Sequence, residues 1–504
     1  VLDNAIAVID FGSQYTQLIV RRIRELGYFS RLYQPEELRD TGTPAAVILS
    51  GGPRSTSEPD APDIDFEYLK SLNVPVLGIC YGMQLLNLKW GGEVKPGTTK
   101  EYGPATLKPV EGSGLLDGVT DSQIWMSHSD TCKHLEAGAK VLGHNQEGIP
   151  VALQFDDLFY GIQFHPEVSH SHQGAQVLKN FLSLAKDPPK FEMESFKDQL
   201  MEQVREEVGD RQVVCGVSGG VDSSVLAALL HEADLNVRYI FVDTGMLRKD
   251  EAAEVQDQFE SIGIKIETID AGEKFLGALE GVTDPEKKRD IIGNLFVDVF
   301  FSAAGNVEML AQGTLYPDVI ESATSGSIAS KIKTHHNRVD RIMELKKEGK
   351  VVEPLHELFK DEVRALGRSL GLSEAVVGRH PFPGPGLAVR CPGAITKERL
   401  DRIREADHVF ISLLKERGLY DEVWQAYAAE MPVRTVGVKG DERAYEFPIV
   451  LRAVSSVDAM TAEWIRFPHE FLAEVSNRIL NEVSGVNRVL YDISTKPPAS
   501  IEWE

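Results

Sequence analysis

Apolar and polar positions fall into short blocks along the first part of the chain. "AIAVIDF" (5–11), "AAVILSG" (45–51) and "VPVLGIC" (74–80) are apolar runs bounded by turn residues, a pattern that predicts buried strands. Between the first two, "QLIVRRIREL" (17–26) places Leu18, Ile19, Ile23 and Leu26 at helical spacing with arginines on the opposite face. "QIWMSHSD" (123–130), "PVALQFDD" (150–157) and "FYGIQFHPE" (159–167) predict further strands, and "GAQVLKNFLSLA" (174–185) a helix. These elements describe an α/β domain over 1–188. "KDPPKFEMES" (186–195), polar and proline-bearing, reads as a linker.

A second alternation follows over 189–380. Strands are predicted at "VVCGVS" (213–218), "VRYIFVD" (237–243) and "IKIETID" (264–270), with helical stretches between them. That order predicts a parallel sheet with right-handed crossovers. "RHPFPGPGLAVR" (379–390), with its prolines and glycines, predicts no regular structure. The last part, 381–504, runs helix (397–418), strands (433–440 and 448–456), helix (468–483) and strand (487–494), which predicts a small α+β layer. The fold class is therefore α/β multidomain: an α/β domain, a parallel-sheet α/β domain and a small C-terminal α+β domain. No internal repeat or low-complexity segment interrupts it.

Composition narrows the function classes. Hydrophobic content of 42% and charged content of 26% over 504 residues are those of an ordinary globular protein. The net charge of -24 argues against binding to nucleic-acid backbones, so no nucleic acid is expected as a partner. An anionic substrate would need a local basic pocket. No apolar run approaches membrane-spanning length, and the first residues show no basic n-region, so neither a membrane span nor a signal peptide is expected. Cys80, Cys132, Cys215 and Cys391 form no C-x-x-C pair. A reduced, cytoplasmic setting without structural zinc fits that pattern.

Candidate chemistry begins at "GICYGMQ" (78–84). A G-x-C-x-G run between an apolar strand and an apolar helix lifts a thiol clear of the sheet at a helix N-terminus, where the dipole favours thiolate. Alone it equally describes a small buried residue. "QFHPE" (163–167) adds His165, with Glu167 two residues on and on the same side of an extended chain, a base and a group to orient it. "LSGGP" (49–53) adds a Gly-Gly turn with free N–H groups. Together these motifs resemble the class I glutamine amidotransferases. The resemblance implies that Cys80 attacks the glutamine side-chain amide, with His165 as base and acid and Glu167 as its orienter. The N–H groups of Gly52 and Tyr81 would form the oxyanion hole. His128 in "WMSHSD" is either a further glutamine contact or a surface or core residue.

"SGGVDSS" (218–224) poses the second chemistry. It follows a strand and opens a helix, so backbone donors and the hydroxyls of Ser218, Ser223 and Ser224 can meet phosphate oxygens. It lacks the lysine of G-x-x-x-x-G-K-[ST]. Asp222 suits Mg²⁺, which would then bridge phosphates; a bare turn with an N-cap is the plainer reading. The full pattern is similar to the PP-loop of the N-type ATP pyrophosphatases, which cut ATP between the α and β phosphates. That likeness implies ATP contacts from Ser218, Gly219, Gly220, Val221, Asp222, Ser223 and Ser224, with Asp222 as the metal ligand.

A triad glutaminase, a PP-loop domain and a small α+β domain in this order resemble the GMP synthetase family over essentially the whole chain. "FVDTGMLRKDE" (241–251), "KKRDIIGNLF" (287–296), "LAQGTLYPDVIES" (310–322), "IKTHHN" (332–337), "RHPFPGPGLAVR" (379–390) and "DISTKPPASIEWE" (492–504) look like its signatures. The resemblance implies XMP, ATP and glutamine as substrates, XMP contacts from Arg289, Lys496 and Glu502, and a homodimer through the last domain. "HHNRVDRIMELKKEGKVVEP" (335–354) departs from the family's short turn, which leaves the shape of the lid at 331–352 open. A glutamine-dependent NAD synthetase shares the PP-loop, but its nitrilase-type glutaminase would not carry "GICYGMQ" and "FHPE". A catalytically dead glutamine-sensing scaffold is at odds with the presence of Cys80, His165, Glu167 and Asp222.

Overall fold

Four four-residue strands, β1 (Ile6–Ile9), β3 (Ala46–Leu49), β4 (Val76–Ile79) and β9 (Phe159–Ile162), are buried at every position. Burial on both faces is why they read as unbroken apolar runs. In the computed structural model, which describes residues 4–110, 112, 114–134, 139–315, 336–439, 441–456 and 461–504, the chain divides into two compact units, Val1–Phe196 and Lys197–Glu504. The first unit holds a nine-stranded sheet in the order β2-β1-β3-β4-β9-β8-β7-β5-β6. Here β2 is Ser30–Tyr33, β5 Glu93–Pro109, β6 Ser122–His134, β7 Lys140–His144 and β8 Pro150–Gln154. The half from β2 to β9 is parallel, and the rest is antiparallel.

The second unit contains a parallel sheet and a largely antiparallel one. The parallel sheet runs β12-β11-β10-β13-β14, with β10 Val213–Val217, β11 Val237–Asp243, β12 Ile266–Asp270, β13 Met309–Ala311 and β14 Val351–Val352. The other sheet is built on β17 (Glu442–Ser455), flanked by β15 (Gln425–Glu430), β16 (Thr435–Lys439), β18 (Glu463–Trp464) and β19 (Val486–Tyr491). Helices Lys397–Glu416 and His469–Glu482 supply one side of its core, through Phe410, Leu413, Phe471 and Val475.

The sequence pattern placed most of these elements within a few residues. It missed β2, β5, β7, β13–β15 and β18. β15 is the instructive case: "QAYAAE" is half alanine, with little strand propensity, yet every residue is buried because β17 pairs with it. "RHPFPGPGLAVR" contradicts the expectation of no regular structure, since Gly386–Arg390 forms a short 3₁₀ turn. The prolines end at Pro385, and Gly386, at φ 63°, packs where a Cβ would collide with the Met246 carbonyl. The segment 316–335, with much of two family-like motifs and the start of the lid region, lies outside the described residues; helix His336–Lys347 follows it.

Buried charges tie the last part of the chain together. Arg452 on β17 is fully buried and donates to the carbonyl oxygens of Ile501 (3.0 Å), Ser494 (2.9 Å) and Ser500 (2.9 Å). The tail is thus docked by backbone hydrogen bonds, while Trp503 stays 38% exposed. Glu430, at the end of β15, is fully buried between Arg399 (2.7 Å) and Arg402 (2.6 Å) of helix Lys397–Glu416. Removing that carboxylate leaves two guanidinium groups without their counter-charge. Glu430→Ala should lower the stability of the second unit by about 3–5 kcal/mol, read as an earlier unfolding transition in denaturant with the first unit's transition unmoved.

Candidate active site

Cys80 occupies the junction between β4 and helix Tyr81–Lys89 with φ 52° and ψ -102°. A non-glycine residue holds such a backbone only when its surroundings enforce it, at about 1–3 kcal/mol. The enforcing contacts are local. A Cβ on Gly78 would sit 2.5 Å from the Gly82 carbonyl group, and one on Gly82 would collide with the Leu49 carbonyl. The Cys80 N–H donates to Ile162 O at 2.8 Å and the Gly82 N–H to Ser50 O at 3.1 Å, joining the turn to β9 and to the end of β3. The thiol points to the Ser127 carbonyl at 3.7 Å.

His165 and Glu167 follow β9, the neighbour of β4. His165 Nδ1 lies 2.7 Å from Glu167 Oε1, and both side chains are buried. A carboxylate accepts, so Nδ1 carries the proton and Nε2 is left for the thiol. The His165 backbone is held by its main-chain N–H donating to Trp125 O (3.0 Å) and by Ser171 Oγ donating to its carbonyl (2.6 Å), and the ring packs against the Tyr15 ring at 5.0 Å. Burial works against charge on the ring, but Glu167 and Cys80 outweigh it and raise the His165 pKa well above 6.5. A cleft of about 420 Å³ opens on Cys80 and His165 and is lined by Gly52, Tyr81, Gln84 and Ser127. Gly52 has no room for a side chain: a Cβ would stand 2.9 Å from Phe11 O and 3.2 Å from the Tyr81 ring. The first N–H of a helix has no intrahelical acceptor, so the Tyr81 N–H is available here.

His128 lines the same cleft and is buried. Its Nδ1 is 2.9 Å from Asp130 O and its Nε2 is 3.1 Å from Glu101 Oε2. Burial lowers its pKa. Glu101 was not singled out from the sequence; it reaches His128 only because β5 and β6 pair those two residues. Gln84 and Ser127 sat inside quoted motifs without an assigned role.

The phosphate-loop candidates gather at the end of β10. Gly220 precedes helix Val221–Glu232 with an extended backbone. The Ser218 N–H donates to Ser223 Oγ at 3.1 Å, and the two hydroxyl oxygens are 3.1 Å apart. The Ser224 side chain turns inward, donating to Gly220 O (2.9 Å) and accepting from Gln258 (3.1 Å). Val221 is buried. Both Asp222 oxygens lie 2.5 Å from Lys360 Nζ, a cation the sequence motif did not reveal. Among the described residues no group of three or more His, Cys, Asp or Glu side chains could hold a metal ion. One carboxylate beside a phosphate site still suits Mg²⁺, which takes most of its oxygens from phosphates and water.

The remaining candidates lie farther along the second unit. Arg289, on helix Pro285–Ala304, is ion-paired with Glu286. Its neighbour Lys288 is buried against Cys391 O (2.9 Å) and Glu504, so this helix and the tail are joined. Lys496 exchanges main-chain hydrogen bonds with Ala462 (2.8 and 3.0 Å). Glu502 is engaged by Arg390, Nε at 3.2 Å and Nη2 at 3.1 Å, and by Gln425 at 2.7 Å.

Comparison with known proteins finds three family models on the chain. Glutamine amidotransferase class-I matches residues 7–185, NAD synthase residues 192–299, and GMP synthase C terminal domain residues 412–503. A GMP synthase [glutamine-hydrolyzing] of Thermosipho africanus is 50% identical over 517 residues, covering 99% of this chain and 100% of its own length. One from Chlorobaculum tepidum is 49% identical over 520 residues, covering 99% of each.

The His165 environment carries a pH signature. Glu167→Gln removes a cause of the raised pKa and leaves burial, so the ring should titrate at lower pH, followed through its Cε1 proton by NMR. A raised folded-state pKa stabilises the fold fully below 6.5 and loses that effect as pH rises through the raised value. The stability advantage of the unsubstituted protein over Glu167→Gln should therefore shrink with rising pH across that window.

Proposed function

The chain belongs to the glutamine-hydrolysing GMP synthase family, and on that premise we propose how its residues divide the reaction. It is a glutamine amidotransferase ligase with ATP as co-substrate; the assignment of steps to residues is ours. The overall change is XMP + ATP + glutamine + water to GMP + AMP + pyrophosphate + glutamate. The NAD synthase match covers the segment with the phosphate loop, whereas the relatives aligned over the whole chain are GMP synthases, which disfavours NAD synthesis.

In the first half-reaction the Cys80 thiolate adds to the glutamine amide carbon. The Gly52 and Tyr81 N–H groups receive the oxyanion. His165, oriented by Glu167, passes a proton to the departing ammonia and then takes one from the water that releases glutamate. The observation that carries this reading is the left-handed Cys80 in one cleft with His165, whose Nδ1 is fixed 2.7 Å from Glu167.

In the second half-reaction the XMP O2 attacks the α-phosphorus of ATP, and ammonia then displaces AMP at C2. The loop Ser218, Gly219, Gly220, Val221, Asp222, Ser223 and Ser224 holds the departing pyrophosphate. Its side-chain share falls to Ser218 and Ser223, since Ser224 faces inward. Asp222 would hold Mg²⁺, which neutralises phosphate charge when bound, and Lys360 beside it could turn to the phosphates. Arg289, Lys496 and Glu502 would contact XMP, the last from a carboxylate already shared with Arg390 and Gln425.

We assign glutamine hydrolysis to 1–188, the ATP pyrophosphatase step to 189–380, and dimerisation with XMP binding to 381–504. A homodimer through the last segment is supported by apolar side chains left exposed there, Val436 (52%), Val438 (75%), Tyr445 (58%) and Leu490 (44%). No helix among the described residues is long and apolar enough to cross a membrane, and the four cysteines are free; a cytoplasmic location agrees with both.

Incubation with XMP, ATP, Mg²⁺ and glutamine should give AMP and pyrophosphate as XMP absorbance falls; ADP and orthophosphate would refute the scheme, and turnover of deamido-NAD in place of XMP would restore NAD synthesis. Cys80→Ala should cut glutamine-dependent synthesis by more than about a thousandfold while ammonia-dependent synthesis persists. Asp222→Asn should remove pyrophosphate release and leave basal glutaminase measurable.

A further inference from the structure

Resting on the reading that Ser218–Ser224 holds the ATP phosphates, we infer that Arg379 and Glu251 are positioning residues that set which way the loop's central peptide faces. That peptide joins Gly219 to Gly220. A trans peptide is planar, so its C=O and N–H point opposite ways. Gly219 stands at φ 71° and its successor is also glycine, so neither residue carries a Cβ to oppose a half-turn of this plane. One orientation presents the Gly220 N–H to an anion at the helix N-terminus. The other presents the Gly219 carbonyl oxygen and repels it.

Arg379 selects between them. Its Nη1 donates to Gly219 O at 3.0 Å, while the Gly220 N–H faces the exposed Ser218 hydroxyl at 3.4 Å. The guanidinium is itself held. Its Nη2 pairs with Glu251 Oε1, and the other Glu251 oxygen accepts the Arg248 N–H at 2.8 Å. The Glu251 side chain is 2% exposed and opens helix Glu251–Ser261, where the helix dipole favours a carboxylate. The same helix supports the loop at two further points. Val255 fills the space beside Gly219 so closely that a Cβ there would run into it, and Gln258 donates to Ser224 Oγ at 3.1 Å. Arg379 comes from 160 residues farther along the chain, at the start of "RHPFPGPGLAVR"; that stretch stood out as family-like, but nothing in the sequence joined it to this loop.

The test uses the full chain and calorimetric binding of three probes: α,β-methylene-ATP, inorganic pyrophosphate and adenosine. Arg379→Met should weaken the first two about tenfold or more, the scale of a lost charge-assisted hydrogen bond. Adenosine, which has no phosphate, should bind unchanged. Arg379→Lys should recover part of the loss, and provides the reading if Arg379→Met does not fold. Glu251→Gln should weaken pyrophosphate in the same direction. Unchanged pyrophosphate affinity in Arg379→Met would overturn the inference, as would an equal loss for adenosine, which marks a general structural role. Pyrophosphate affinity kept or improved in Glu251→Gln would also overturn it, because Arg379 would then be touching phosphate itself. If the unsubstituted protein binds adenosine but neither phosphate-bearing probe, the phosphate-loop reading falls and this inference with it.

Discussion

The close approach of Gly82 to the Leu49 carbonyl decides where the thiol can stand. With no Cβ between them, helix Tyr81–Lys89 can dock directly on β3, and Cys80 must then turn the chain through a left-handed backbone to enter that helix. The position gains its meaning from the neighbours. β3, β4 and β9 are adjacent parallel strands, and Gly52, Cys80 and His165 each lie just past a carboxyl end of one of them. The mouth of a parallel sheet is where such folds bind ligands, because strand ends and helix N-termini converge there. Three segments far apart in sequence therefore meet in one cleft through backbone packing.

The second unit uses the same construction for a different purpose. β10 also ends in a turn into a helix, and Gly219 also takes a positive φ under close contact. No nucleophile stands at this turn; it offers donors. The chain's net charge of -24 makes the local cations decisive. Lys360 and Arg379 reach this turn from later in the chain, and each is already matched to a carboxylate, Asp222 and Glu251. Matching of that kind keeps cations at hand without leaving unpaired charge in a partly buried place.

Farther along, buried arginines organise the tail. Arg390 and Arg452 have fully buried side chains, and their partners are tail groups: the Glu502 carboxylate in one case, backbone carbonyls in the other. Hydrophobic docking of the tail would need apolar area that this segment lacks, beyond Ile501. Directed hydrogen bonds to backbone hold a polar segment in one place, and so hold Lys496 and Glu502 in register with the sheet.

Short-range information was legible from the start. Apolar runs and helical spacing marked the strands β1, β3, β4 and β10 and helices such as Thr16–Glu25, Gly174–Leu182, Lys397–Glu416 and His469–Glu482, because burial on a strand or one helix face leaves a local period, while helices Met193–Val208 and Pro285–Ala304 went unread. The residues Cys80, His165 and Glu167, and the loop at Ser218, stood out because their chemistry needs particular neighbours within a few positions. What the chain could not disclose in one dimension is pairing. β15 is a strand by virtue of β17, and Glu101 meets His128 by strand register. Lys360 reaches Asp222 across 138 residues and Arg390 reaches Glu502 across 112. Such contacts follow from which surfaces pack, and packing is set by the sum of many burial and shape terms with no periodic trace in the sequence. The order of chemical parts was thus written locally, while the partners that hold each part in place were decided only when the chain closed on itself.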